Sequence, residues 1–331
     1  MELFELIRTL TRVYGPSGDE AEIRQTLEEL IRPCADEVYT DALGNLIAHK
    51  RGSGPKLLFS AHLDSIGLMV THIEKDGTLR VGKVGGVSPY ATAYTPVRFK
   101  NGTRGVLVPE EKAEAGKWTL DDCYVDIGAS DAAAAATMVR VGDVAVYDGA
   151  AFRSGDQIVS PYLDDRSACA VLAEAMGRLE PPRNDLWFVF SVQEEVGCRG
   201  AKTAAYGVAP DYGIAVDVTD SCDIPGCRKN GTTRLGGGAA VKIMDHSVVC
   251  HPDVVAKLEQ AAAAQGIKVQ RDIMRAGGTD AGAIHLTGNG VPTGGISIPC
   301  RYVHTPVETA SLKDIEECVR LTVVFAQAEL T

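Results

Sequence analysis

Leu186-Trp187-Phe188-Val189-Phe190, followed by Ser191-Val192 and then Gln193-Glu194-Glu195-Val196-Gly197, is the stretch on which the reading of this chain turns. The apolar run reads as a buried strand, and it delivers two adjacent carboxylates to its C-terminal end. In open α/β sheets that edge is where ligands bind. Adjacent residues at a strand end point in different directions, so one carboxylate can hold a metal ion while its neighbour handles a proton. A Glu-Glu pair on its own would be a solvated loop, as most charges are. That changes only if other strands bring metal-competent side chains to the same edge.

Four segments do so. Lys56-Leu57-Leu58-Phe59-Ser60-Ala61-His62-Leu63-Asp64 is an apolar strand ending in polar groups. Its His62 and Asp64 suggest an imidazole whose second nitrogen is held by a carboxylate, the usual partner of a metal-bound histidine. Leu163-Asp164-Asp165-Arg166 precedes the small-residue helical segment Ser167-Ala168-Cys169-Ala170-Val171-Leu172, and Arg166 is expected to anchor a carboxylate. Tyr212-Gly213-Ile214-Ala215-Val216-Asp217-Val218 carries Asp217 near its end, and Gly295-Ile296-Ser297-Ile298-Pro299 leads into Arg301-Tyr302-Val303-His304. The inventory is two His, two Asp and one Glu, with one Glu to spare. Two tetrahedral ions sharing a bridging carboxylate need five protein ligands and a water, so the pattern fits a two-metal hydrolase. Asp280, in Gly278-Thr279-Asp280, is read either as a contributor to the site or as a turn residue.

The 331 residues suggest two domains. Asp and Glu outnumber Lys and Arg by 44 to 33, which argues against nucleic acid or an anionic membrane as partner. No apolar run approaches the ~20 residues of a membrane span. Met1-Glu2-Leu3-Phe4-Glu5 is acidic and amphipathic rather than a secretory signal, so the expected location is cytoplasmic. The nine cysteines are read as reduced core thiols, with Cys222 and Cys227 as ordinary loop residues. Cys198 stands where an aliphatic residue is expected after the Glu-Glu-Val-Gly motif. It is read as a small buried hydrophobe.

Along the chain, an amphipathic helix, a Gly15-Pro16-Ser17-Gly18 break and a second helix to about Ile31 lead into strands. From Gly67 to Gly155 the texture changes. Short β-rich segments such as Val97-Arg98-Phe99-Lys100 and Gly105-Val106-Leu107-Val108 alternate with turn signals, which suggests a small β-barrel or sandwich. Their edges and apolar patches would need covering in a monomer. The expected division is a discontinuous catalytic domain, 1–66 and 156–331, with 67–155 inserted. A last helix is expected from Ser311, its N-cap, to Thr331.

The set Ser60-Ala61-His62-Leu63-Asp64, Leu163-Asp164-Asp165-Arg166, Gln193-Glu194-Glu195-Val196-Gly197, Ala215-Val216-Asp217 and Arg301-Tyr302-Val303-His304 resembles the co-catalytic metallo-aminopeptidases of the TET and glutamyl-aminopeptidase group. Gly277-Gly278-Thr279-Asp280-Ala281, Val291-Pro292-Thr293 and Val125-Asp126-Ile127-Gly128-Ala129 extend the match, in order, along the whole chain. The resemblance implies a mixed-sheet α/β/α peptidase domain with an inserted β-barrel-like domain for dimerisation, and a cis peptide between Asp164 and Asp165. It implies that His62, Asp164 and Asp217 hold one divalent ion and Asp164, Glu195 and His304 the other. The ions would be zinc or cobalt, with manganese as a third option. Glu194 would be the general base, and Asp64, the carboxylate expected to hold His62, is counted with it among the catalytic residues. The substrates would be short peptides with a free N-terminus, and the assembly a homo-oligomer from dimer to dodecamer. Competing readings are a metallo-deacylase or carboxypeptidase of related fold, and a non-catalytic metal-binding protein that kept the fold.

Overall fold

The computed structural model describes residues 1–114, 117–227 and 231–330. Its larger unit is a mixed sheet of eleven strands. Asp185–Ser191, Lys56–His62, Tyr212–Asp220 and Thr293–Arg301 lie side by side and parallel in its centre. Both faces are covered, so these strands are apolar throughout. Side-chain alternation divides them. Leu57, Phe59, Phe188, Phe190, Val216 and Ile296 enter one core, while Leu58 and Val189 enter another with Ala201, Ala204 and Val208 of the helix Arg199–Val208.

The first face carries the helix Leu163–Arg178, itself wrapped by Leu3–Arg12, Ala21–Ile31 and Leu312–Ala326. Ser167 to Leu172 are buried on every side of that central helix, and their small side chains let sheet and helices approach closely. Ser311 caps the last helix by accepting from the Asp314 N–H. That helix ends at Ala326, short of the expected Thr331, which lies outside the described residues.

The second unit is a closed barrel of six strands: Gly67–Ile73, Leu79–Val84, Cys123–Asp126, Arg104–Pro109, Pro96–Phe99 and Val144–Tyr147, in that spatial order. Alternate residues such as Leu68, Val70, Leu79, Val81, Val97, Phe99, Leu107 and Val125 fill its interior. Closure removes the free edges that the sequence reading expected a partner to cover, and Val97 and Phe99 face inward instead of outward. The barrel ends at Tyr147. Phe152–Ser154 already pairs with Gln157–Ser160 in the large sheet, turning at Gly155 with φ of 63°, so the chain returns to the larger unit before residue 155.

Two further expectations are overturned. Cys222 and Cys227 are joined in a disulfide, whereas the other seven cysteines are free. The intervening turn brings their Cα atoms to 5.7 Å, within bridging range, a closeness that a five-residue spacing does not announce. Arg166 binds no carboxylate among the described residues. Its guanidinium donates to the carbonyls of Leu10, Val13 and Gly15 at 3.0, 3.4 and 3.1 Å, tying the end of the first helix and the turn after it to the central helix.

Candidate active site

Parallel register explains why distant segments meet. Ser191 pairs with His62 across one strand boundary, and Ala215 pairs with Ser60 across the other. Asp217 therefore lies level with His62, and Glu194 and Glu195 follow just beyond the same edge. The loops there use strained backbone. Tyr162, Gln193, Cys198, Tyr302 and His304 all have φ between 49° and 63°, a conformation that costs a non-glycine residue about 1–3 kcal/mol and clusters at functional sites. The peptide between Asp164 and Asp165 is cis.

Asp164 sits between the two imidazoles. Its Oδ1 is 2.9 Å from His62 Nε2, and its Oδ2 is 3.2 Å from His304 Nε2. Glu195 Oε2 also lies 3.2 Å from His304 Nε2. Asp217 Oδ1 and Glu194 Oε2 are 4.0 and 3.9 Å from His62 Nε2. His62, Asp164 and Glu195 present ligand atoms within 4.8 Å of one another, and so do His62, Asp165 and Asp217. The structure thus brings all five expected ligands and Glu194 together, with Asp165 beside them. The five ligands and Glu194 line a cavity of about 530 Å³.

Asp64 holds this arrangement from behind. Fully buried, it accepts the backbone N–H groups of Glu194 and Glu195 at 2.9 and 3.3 Å and the Ser17 hydroxyl at 2.6 Å. Its Oδ1 lies 3.4 Å from His62 Nδ1, whose closer neighbour is the Asp64 carbonyl at 3.2 Å. Glu308, which the sequence reading passed over, plays the matching part on the other side. It accepts from the Asp164 N–H at 2.9 Å and the His304 N–H at 2.7 Å. Its signal was faint: one acid in a short β-rich run, Glu308-Thr309-Ala310-Ser311. Asp280 does not line the cavity. Its Oδ2 accepts the hydroxyls of Ser60 and Ser191, each at 2.5 Å.

The barrel supplies one wall. At Gly86 the main chain lies so close that a Cβ would collide with the His304 ring, and its carbonyl faces His304 Nδ1 at 3.1 Å. A Cβ on Gly85 would press on Glu195 at 3.0 Å.

Burial pushes the Glu194 carboxyl well above its usual range, with Asp217, Asp280 and Glu195 adding to the push and His62 opposing it. Burial also raises Asp217 and Glu195. Asp164 goes the other way, because the two imidazoles outweigh its burial. Burial lowers His304, but Asp164 and Glu195 overcome it and carry the ring up to about 12. The site thus crowds buried carboxyl groups that resist ionising together. Glu195 Oε1 and Asp165 Oδ1 are buried with no hydrogen-bond partner among the described residues, an arrangement that costs free energy unless a cation compensates. Oxygen and imidazole donors of this kind suit divalent transition ions, so the residues present fit a metal centre.

Residues 44–321 match the family model described as M42 glutamyl aminopeptidase. The chain is 49% identical to a putative aminopeptidase of Acetivibrio thermocellus over 97% of this chain and 98% of that one. Among solved structures, an aminopeptidase from the archaeon Desulfurococcus kamchatkensis superposes with a TM-score of 0.94 at 38% identity, covering 98% of this chain and 94% of that one. The TET1 peptidase of Pyrococcus horikoshii, described as able to assemble into a tetrahedron or a large octahedral shell, gives 0.89 at 32% identity over 98% and 99%.

Proposed function

The chain belongs to the M42 glutamyl aminopeptidase family and is a metal-dependent aminopeptidase, and from that premise we propose how its own residues divide the work. His62, Asp164 and Asp217 hold one divalent ion, and Asp164, Glu195 and His304 hold a second; zinc, cobalt and manganese all suit this N/O set. When bound, such ions supply Lewis acidity and lower the pKa of water at the site. Glu194 takes the proton from the attacking water and passes it to the leaving amine. Its burial favours this, since a carboxylate that is reluctant to stay ionised is the stronger base. Asp64 is a positioning residue: one carboxylate fixes the Glu194 and Glu195 main chain and lies against the His62 ring, so base and ligands share one support.

The observation that carries this reading is Asp164 lying between both imidazoles, one oxygen to each. The deacylase, carboxypeptidase and non-catalytic readings lose ground because the matched family and the relatives named above are described as aminopeptidases or peptidases and every expected ligand and base position is filled. The substrates proposed are short cytosolic peptides with a free N-terminus. The barrel would pair chains into dimers, and dimers would close into a hollow particle like that described for the archaeal relative. No described helix is long and apolar enough to cross a membrane.

Replacing Glu194 with Gln tests the assignment. Turnover of aminoacyl-p-nitroanilides should fall by about 10³–10⁴, the upper part of the range for a general base, while metal content stays as in the parent. Loss of an ion, or near-normal turnover, would overturn the role.

A further inference from the structure

Behind the proposed base lies a second group of metal-competent atoms that the five-ligand set does not use. Glu194, Cys198 and Asp280 each present a ligand atom, all within 4.8 Å of one another. Cys198 Sγ lies 3.1 Å from Glu194 Oε1. Asp280 is 2% exposed, and its Oδ1 has no hydrogen-bond partner among the described residues although Oδ2 accepts from two serines. Asp280 thus keeps one buried, unpaired oxygen in a carboxylate that stands within 4.8 Å of a thiol and a second carboxylate, and such a group is short of a cation. The geometry is held in advance. The N–H groups of Gly197 and Cys198 both donate to the Glu194 carbonyl, at 2.8 and 2.9 Å, closing a tight turn that sets the two side chains together. Glu194 and Cys198 both line the substrate cavity, so an ion can enter from there.

From these contacts we infer a third cation site, selective for a soft divalent ion such as Zn²⁺ or Cd²⁺, formed by Glu194, Cys198 and Asp280, whose occupation inhibits the enzyme. A tetrahedral ion with bonds of about 2.1 Å to oxygen and 2.3 Å to sulfur separates its ligand atoms by about 3.6 Å, a spacing bracketed by the 3.1 Å contact and the 4.8 Å limit. On binding, the metal–sulfur bond forms as the Cys198 thiol releases its proton to solvent. Two oxygen–metal bonds complete the protein's share, and water fills the fourth position. Glu194 is then a ligand and no longer free to accept a proton. The inhibition rests on the reading of Glu194 as base; the site does not. Its sulfur ligand is what separates it from the oxygen- and nitrogen-only centre alongside, since thiolate favours soft ions.

The test uses the full enzyme loaded with its catalytic ions and cleared of excess metal, titrated with Cd²⁺. One further equivalent should bind. It should bring a thiolate-to-cadmium charge-transfer absorption in the ultraviolet, and turnover should fall with the same midpoint. In Cys198→Ala the absorption should vanish, and the inhibitory midpoint should rise at least about tenfold, as expected when a soft ion loses its thiolate. Asp280→Asn should shift the midpoint in the same direction, with circular dichroism checking that it folds. An unchanged absorption and midpoint in Cys198→Ala would overturn the proposal, as would the absence of a further equivalent in the parent. A Cys198-dependent absorption with undiminished turnover would support the site and remove Glu194 from the role of base.

Discussion

Glu308 offers the most direct way to separate the support of the metal centre from its ligands. It is 2% exposed and touches neither proposed ion, yet it accepts the main-chain N–H groups of Asp164 and His304 at 2.9 and 2.7 Å. Glu308→Ala would leave both N–H groups without that acceptor, the Asp164 group buried and the His304 group partly so. Each such loss costs about 1–3 kcal/mol, so the variant should lose about 2–6 kcal/mol of stability. Glu308→Gln keeps one amide oxygen and should lose about half as much, about 1–3 kcal/mol. Because Asp164 is the shared ligand and His304 holds a left-handed φ of 63°, relaxing both should lower occupancy at the two positions together. Urea unfolding of metal-stripped protein gives the stability change free of metal linkage, and elemental analysis gives the ion content of the reloaded enzyme. If Glu308→Ala unfolds within about 0.5 kcal/mol of the parent, the range of an inconsequential substitution, and retains its full metal complement, the carboxylate is not the support proposed.

Ligand replacements should separate by stoichiometry: Asp164→Ala should bring metal content close to none per chain, whereas His62→Ala and His304→Ala should each keep about half, since each imidazole serves one ion. Equal content in all three would refute the bridging assignment. Light scattering at micromolar concentration should give a mass well above that of one 35.1 kDa chain, with a dodecamer as the full expectation and a monomer refuting assembly. Asp223 is held down to about 2 by Arg301, whose guanidinium it accepts at 2.8 and 2.6 Å. Its folded pKa is depressed, so the stabilisation is complete above the ordinary carboxylate range and fades as pH falls from about 4 through about 2. The pair is partly exposed, which limits it to about 1 kcal/mol. Asp223→Asn should therefore lower the unfolding midpoint at pH 7 and have little effect near pH 2, and equal effects at both would refute the pairing.

The sheet edge was legible because parallel strands buried on both faces show as apolar runs, and each run here ends in side chains with no place in a core. His62, Glu194, Glu195, Asp217 and His304 all follow such runs closely, so reading order along the chain sufficed to place these five on one edge, whereas Asp164 showed only as an acid at the start of a small-residue helix. Glu308 and Ser17 were invisible to that reasoning. They act on main-chain N–H groups and on another carboxylate, contacts that depend on loop geometry and leave no spacing behind. The same holds for Arg166, whose acceptors are carbonyls more than 150 residues away along the chain. The barrel was recognisable as short strands and turns. Its closure was not, because closure depends on Val144–Tyr147 meeting both Gly67–Ile73 and Pro96–Phe99, pairings with no local signature. The Cys222–Cys227 bridge escaped for a related reason, since thiols five residues apart meet only when the turn between them folds back.

The bare main chain at Gly86 makes the two folding units inseparable in chemistry even though they are separate in hydrophobic core. Its carbonyl is the neighbour of His304 Nδ1, and that bond selects which ring nitrogen carries the proton and leaves Nε2 to face Asp164 and Glu195. Excising 67–155 to obtain a simpler, unassembled peptidase would take this carbonyl away and free the imidazole to turn or to change tautomer. A shortened chain of that kind is a different catalyst, whatever its oligomeric state. In an assembly joined through the barrels, a tilt of the barrel would be felt first at this one ring.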